Sequence, residues 1–201
     1  MFLKNIEPDK ISSWDRIFLT FDMDWAHDEV IIDTLELLKK GNINCTFFIT
    51  HKTSLIDEIR NVDNIEIGLH PNFNNLLNGD SKNYSADHIL NNLMDIAPES
   101  KSIRSHSIVN SSRLTNLFLK LGITHESNIY IPYWTNINLS PWKSESGIVH
   151  CPYFFADELA CLPSKEVNLK TLTKISTQNS LRIFDFHPIH VFLNTESLDR
   201  Y

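Results

Sequence analysis

The sequence predicts an α/β protein on a parallel sheet, with a barrel favoured over an open sheet. Three observations predict it. Short apolar runs alternate with stretches of helical spacing, and strand–helix alternation implies parallel strands. Asp or His stands at the carboxyl end of five of those runs, as Asp22 with Asp24, His51, His70, His106 and His187. Ligands and catalytic groups gather at that end of parallel α/β sheets. Finally, side chains two apart on a strand point the same way. Thr20, Asp22 and Asp24 share one phase, as do Glu66, Gly68 and His70, Arg104 and His106, and Asp185 and His187. Polar faces that all turn inward line one cavity, as at the mouth of a barrel.

The elements follow in order. RIFLTFD (16–22) is a short buried strand, with Ile17, Leu19 and Phe21 opposite its polar face. DEVIIDTLELLKK (28–40) has helical spacing, and Gly41 follows as a C′ glycine. INCTFFIT (43–50) is the second strand, TSLIDEIRN (53–61) a short helix and NIEIGLH (64–70) the third strand. A polar loop over 71–83 leads to a helix near 85–96. SIRSH (102–106) is the fourth strand, and a helix over 111–122 takes Ser111 or Ser112 as its cap. ITHES (123–127) and GIVHCPYF (147–154) are strands five and six, separated by an irregular aromatic loop, and LRIFDFH (181–187) is the seventh.

Composition narrows the classes. The 201 residues suit one domain spanning 1–201, long enough to bury a core. A net charge of -7 argues against a duplex-binding surface, so no nucleic-acid partner is expected. No apolar run reaches the ~18 residues of a membrane span, and the first residues carry no apolar signal core. Cys45, Cys151 and Cys161 read as reduced, inert thiols, consistent with a cytoplasmic location. The five glycines stand at 41, 68, 79, 122 and 147, which excludes a P-loop and a GxGxxG fingerprint.

Carboxylates and imidazoles at one rim point to a divalent metal. Asp oxygen with His nitrogen suits zinc, with Co2+, Ni2+ or Mn2+ as alternatives. A metal polarises a carbonyl and acidifies water, a second carboxylate serves as general base, and a facing His protonates the leaving group. Asp22, Asp24, His70, His106 and His187 suffice for these roles.

FLTFDMDWA, CTFFIT, EIGLHPNFN, SIRSH and FDFHPIH resemble the polysaccharide deacetylase family, the NodB-homology group or carbohydrate esterase family 4. The resemblance runs over about residues 16–190 and extends to a WbmS-like subgroup linked to O-antigen and other surface-polysaccharide clusters. It implies a distorted (β/α)7 barrel and metal-dependent removal of acetyl groups from sugars. By position it implies Asp22 as general base, Asp24 and His70 as metal ligands, Arg104 as the residue steadying the base and His187 as general acid. The substrate expected is an acetylated sugar, nucleotide- or lipid-linked.

Two departures from the family pattern bear on the site. Asn74 stands where the second metal His would fall, and His106 stands where the third motif has Pro. His106, in phase with Arg104 at a strand end, is therefore expected to complete a ligand set of Asp24, His70 and His106. Asn74, Trp25, Asp185 and His190 are expected to contact substrate or support the site. Asp157 or Asp185 would partner an Arg or a His. Two other readings stay open: a degenerate barrel that binds a sugar or a biosynthetic partner without chemistry, and an amidohydrolase of a non-sugar amide.

Bland readings stand beside these. Asp22 and Asp24 alone can be helix-capping residues. His51 suits a structural hydrogen bond as well as a site, while His27, His88, His125 and His150 read as surface or core histidines. Tyr130, Tyr133, Trp134 and Trp142 either stack on sugar rings or simply close one end of the barrel.

Overall fold

The structure is a computed structural model that describes residues 1–79, 85–135, 137–161, 180–195 and 197. Residues 80–83 of the expected polar loop, Asn136 of the aromatic loop and the last residues, 198–201, lie outside the described residues.

The long strands are β1 (Ile17–Asp22), β2 (Cys45–Ile49), β3 (Ile65–Leu69) and β9 (Arg182–Phe186); β4 (Ser102–Ile103), β5 (His125–Glu126), β6 (Trp142–Lys143), β7 (Val149–His150) and β8 (Phe155–Ala156) are short. Helices α1 (Ile11–Trp14), α2 (Asp28–Gly41), α3 (Ile56–Arg60), α4 (Asn74–Leu77), α5 (Ala86–Ile96), α6 (Ser112–Lys120), α7 (Asp157–Ala160) and α8 (Pro188–Leu193) connect or follow them. The sheet order is β6-β7-β5-β4-β3-β2-β1-β9-β8, parallel except for the β6–β7 pair.

The two ends of that order belong to one extended stretch. Residues 149–156 start as β7 beside β5 and end as β8 beside β9. Along the way Cys151 N–H donates to Glu126 O at 2.8 Å and Tyr153 N–H to Ile129 O at 2.9 Å. The stretch thereby leans on both sides of the gap and closes a distorted barrel of the expected (β/α)7 kind. The sixth strand expected over 147–154 is thus only β7 and the kinked segment after it, and the second piece, β8, begins one residue beyond it. Pro152 lies between β7 and β8 and has no N–H to give a ladder.

Other differences are local. Asn42, not Gly41, takes the left-handed cap of α2 (φ 47°, ψ 48°), and Gly41 is the last helical residue. The fourth strand is only two residues long, because the chain turns at His106–Ile108 through left-handed Ser107 and Ile108. The aromatic loop contains β6 and a tight turn at Tyr133–Thr135. The Ser111 hydroxyl caps α6 by accepting from Leu114 N–H at 3.3 Å.

Strand phase decides the packing. Phe21, Phe47, Ile67 and Leu69 face the outer helices and pack with Ile31, Leu35, Leu38, Ile59, Leu90 and Phe118. The inner apolar residues, Phe18, Phe48, Val149 and Ile183, meet Leu3, Ile6 and Trp14, so the first residues plug the barrel's N-terminal end. Gly68 faces inward where a Cβ would stand 2.5 Å from the Phe48 ring, so only glycine fits there. Cys45 and Cys151 are buried, all three cysteines are free, and burial raises the pKa of each thiol. They are not placed to act as nucleophiles. Among the described residues no helix is long and apolar enough to cross a membrane.

Candidate active site

The carboxyl ends of the strands surround a cavity of about 180 Å³, lined by Asp22, Asp24, His70, Arg104, His106, Asp185 and His187, with Tyr130, Tyr153 and Glu158 among the rest. β1 delivers Asp22 as its last residue, and the chain then makes a tight turn in which Asp24 (φ 41°) and Trp25 (φ 57°) are both left-handed. Ala26 N–H donates to Met23 O at 2.9 Å and Trp25 N–H to Thr50 Oγ1 at 3.1 Å, which hold this strained turn. The turn returns the Asp24 carboxylate over the barrel mouth.

Three imidazoles converge on that carboxylate. His70 Nε2 lies 3.1 Å and His106 Nδ1 3.2 Å from Asp24 Oδ1, and His187 Nε2 lies 3.4 Å from Oδ2. Burial alone would raise the Asp24 pKa; hydrogen bonds from His106, His187 and His70 outweigh it and hold the carboxyl well below its usual range. The bond to Asp24 raises the pKa of His106. His106 N–H donates to Pro71 O at 2.9 Å, which ties its loop to the end of β3.

Arg104 fills the floor and is 1% exposed. Its Nη1 donates to Thr20 Oγ1 at 2.9 Å, to Asp22 Oδ1 at 3.1 Å and to Asp185 Oδ1. Nε and Nη2 donate to Ser127 O at 3.2 Å and to its hydroxyl at 3.0 Å. Its guanidinium lies between the rings of Phe48 (4.8 Å) and Tyr153 (4.4 Å). Burial opposes its charge, but Asp185 and Asp22 outweigh burial and push its pKa further up. Burial raises Asp185 to about 8, against the pull of Arg104. Asp22, Asp185 and His187 also lie close enough for a cation, but Arg104 is already bound to both carboxylates.

His187 is gripped by Asp157, which accepts from ring Nδ1–H and from backbone N–H, each at 2.7 Å. Nδ1–H is thereby committed and Nε2 faces the cavity. Burial would lower its pKa; the carboxylates of Asp157 and Asp24 overcome that and push it up to about 12, so the ring is held as an imidazolium. The expected partnership resolves into two: Asp157 serves His187, and Asp185 serves Arg104.

Asp24, His70 and His106 offer ligand atoms within 4.8 Å of one another. One carboxylate oxygen and two imidazole nitrogens suit a borderline divalent ion with open positions. The buried Nδ1 of His70 has no hydrogen-bond partner among the described residues and lies 3.6 Å from Asp22 Oδ2. A small rotation brings it to the carboxylate support that metal-ligating histidines have. The residues present therefore fit a divalent metal.

Some expected site residues lie elsewhere. Asn74 opens α4 and turns its amide toward the Ser107 hydroxyl at 3.5 Å; it does not line the cavity. His190 is buried with its ring 5.5 Å from that of His187, and it does not line the cavity. Asp185 lines the cavity, but Arg104 and Thr20 occupy its Oδ1. Trp25 is 46% exposed and meets the His106 ring edge-on at 5.1 Å, on the rim rather than inside. His51 bonds Thr50 and does not line the cavity. Of the loop aromatics, Tyr130 lines the cavity, whereas Trp142 stacks on His150. The sequence reading missed Tyr153 and Glu158. Glu158 has a signal in hindsight, since it directly follows Asp157 at a strand end.

A family model described as WbmS-like polysaccharide deacetylase matches residues 19–201. The chain belongs to this family. A crystal structure from Bordetella bronchiseptica, assigned as a polysaccharide deacetylase involved in O-antigen biosynthesis, superposes with a TM-score of 0.92 at 39% identity, covering 100% of this chain and 84% of that one. Two more distant structures share the fold. A protein from Mycobacterium smegmatis, assigned as a polysaccharide deacetylase, gives a TM-score of 0.57 at 16% identity over 86% of this chain and 77% of its own. A family 4 carbohydrate esterase from Streptomyces lividans gives 0.51 at 13% identity over 86% and 79%. No curated protein matches the chain significantly. The WbmS-like deacetylase fold thus carries, at its barrel mouth, the carboxylate and imidazole cluster described above.

Proposed function

We propose that this WbmS-like protein is a metal-dependent hydrolase that removes the acetyl group of an N-acetylated sugar used in surface-polysaccharide synthesis. One observation carries the reading: Asp24, His70 and His106 converge beside the Asp22 carboxylate and opposite the His187 ring, whose Nδ1 is held by Asp157. A binding module needs no such division of labour. Asp24, His70 and His106 would hold the ion, zinc fitting best by donor chemistry. When bound, it would supply polarisation of the acetyl carbonyl and acidification of water.

The chain's own residues do the rest. Asp22 accepts a proton from the attacking water, and Arg104 fixes that carboxylate's orientation. The water oxygen adds to the acetyl carbon. His187 then delivers its Nε2 proton to the departing nitrogen as the C–N bond breaks, giving acetate and a free amine. Asp157 keeps that proton directed at the cavity. A nucleotide- or lipid-linked sugar in the cytoplasm is the precursor this reading favours.

The test is elemental analysis of purified wild type and His106→Ala, paired with acetate release from N-acetylated sugars. About one divalent ion per chain, lost in the variant together with acetate release, is expected. Full metal occupancy in His106→Ala overturns the assigned ligand set. No metal uptake by wild type from added zinc, cobalt, nickel or manganese favours the degenerate sugar-binding reading, which the presence of Asn74 in place of a second metal His supports. Acetate release from simple amides but from no sugar favours the amidohydrolase.

A further inference from the structure

Glu158 lines the cavity and has no part in the chemistry above. It directly follows Asp157 on α7, so it is carried by the element that sets the imidazolium of His187. Its Oε2 lies 3.8 Å from His187 Nε2, while its side chain is 51% exposed. It thus stands at the opening, on the side where the leaving nitrogen departs.

The carboxylates lining the cavity are not equally partnered. Asp22 and Asp185 share Arg104 and Asp24 faces three imidazoles, whereas Glu158, half exposed at the opening, has among the described residues only the edge of the His187 ring at 3.8 Å beside it. Among the described residues no lysine lines it. An ionised carboxylate only accepts hydrogen bonds, so Glu158 suits hydroxyl or amine donors and repels another anion.

We infer that Glu158 is a specificity-determining residue: it selects an acetamido sugar with neutral hydroxyls around the scissile amide and rejects one bearing a carboxylate or phosphate there. The inference rests on the deacetylase reading above and narrows its substrate class. It also requires that any diphosphate of a carrier-linked sugar lie outside the cavity. Two like charges about 5 Å apart near a protein surface discriminate by roughly tenfold or more.

The test compares matched pairs of acetamido sugars, each a neutral hexoside and the uronate that differs only by a carboxylate in place of the hydroxymethyl group. Both free and nucleotide-linked forms are included. The readout is the ratio of kcat/KM within a pair for wild type, Glu158→Gln and Glu158→Lys. That ratio does not depend on how much enzyme is folded. Wild type should prefer the neutral member by about tenfold or more, Glu158→Gln should narrow the preference to about threefold, and Glu158→Lys should invert it. An active wild type whose ratio is unchanged in both variants overturns the inference alone. No acetate from any pair overturns the deacetylase reading, and the inference with it.

Discussion

The two ends of the barrel interior both bury carboxylates, but they partner them differently. At the N-terminal end Glu66 accepts from the hydroxyls of Thr46 and Ser102, each at 2.7 Å, and from Lys4 N–H at 3.4 Å. The plug of first residues covers it, and burial raises its pKa. At the C-terminal end Asp22 and Asp185 share the guanidinium of Arg104, and the cavity opens directly above them. Hydroxyls rotate to suit either protonation state of an acid. A fixed guanidinium instead holds the carboxylates it binds in one orientation. The same barrel therefore uses a buried acid as a structural tie at one end and, in the proposed mechanism, as the base at the other.

The contrast can be broken from the reactive end first. Asp22→Asn keeps the shape but removes the base, so acetate release should fall by about 10³-fold, within the range of general-base effects. Its chemical-unfolding midpoint should change little, and a midpoint collapse would make Asp22 a structural residue. Arg104→Leu leaves two carboxylates buried without their cation and should cost about 3–5 kcal/mol in urea unfolding. A loss under about 1 kcal/mol would mean that Asp22 and Asp185 do not rely on Arg104.

Between the two ends, Gly68→Ala drives a methyl into the Phe48 ring, which also packs on Arg104. Overpacking of this kind should cost about 1–3 kcal/mol, read by the same unfolding measurement. The smallest effect belongs to Glu66. Its folded pKa is raised, so the folded state holds the proton more tightly than the unfolded chain does. The resulting stabilisation is complete below the unfolded value of about 4.3 and is lost as pH rises through the folded value. Glu66→Gln should therefore gain stability relative to wild type as pH rises from 4 to 8, by about 1 kcal/mol or less at neutral pH. A variant whose stability relative to wild type does not move with pH would show Glu66 fully ionised at no cost.

Much of the reactive end was legible in the sequence. Strand phase placed Thr20 with Asp22, Arg104 with His106, and Asp185 with His187; Asp22, Arg104, His106, Asp185 and His187 do line one cavity, with Thr20 bonded to Arg104 and His106 carried there by the turn after β4. The period of two is local, so it survives without knowledge of neighbours. The spacing of His190 on the turn after β9 misled, because a helix starts at Pro188 and rotates that ring behind His187. Asn74 was placed near the site by motif position alone, and it stands at the start of α4 behind the cavity-lining Ser107 without lining the cavity itself. Glu158 escaped notice because it lies on the short helix after β8, where the strand period of two no longer applies.

What the sequence by itself determined was the set of strands, their two faces and the polar residues at their carboxyl ends. These follow from alternation and burial along a few consecutive residues. Only the tertiary structure decided which strands are neighbours, how residues 149–156 bridge β5 and β9, and which carboxylate serves which cation. It also decided that the first residues seal the far end over Glu66. The physical reason is range: a strand's faces are encoded every second residue, whereas Asp157 and His187, thirty positions apart, meet only after the chain has closed on itself.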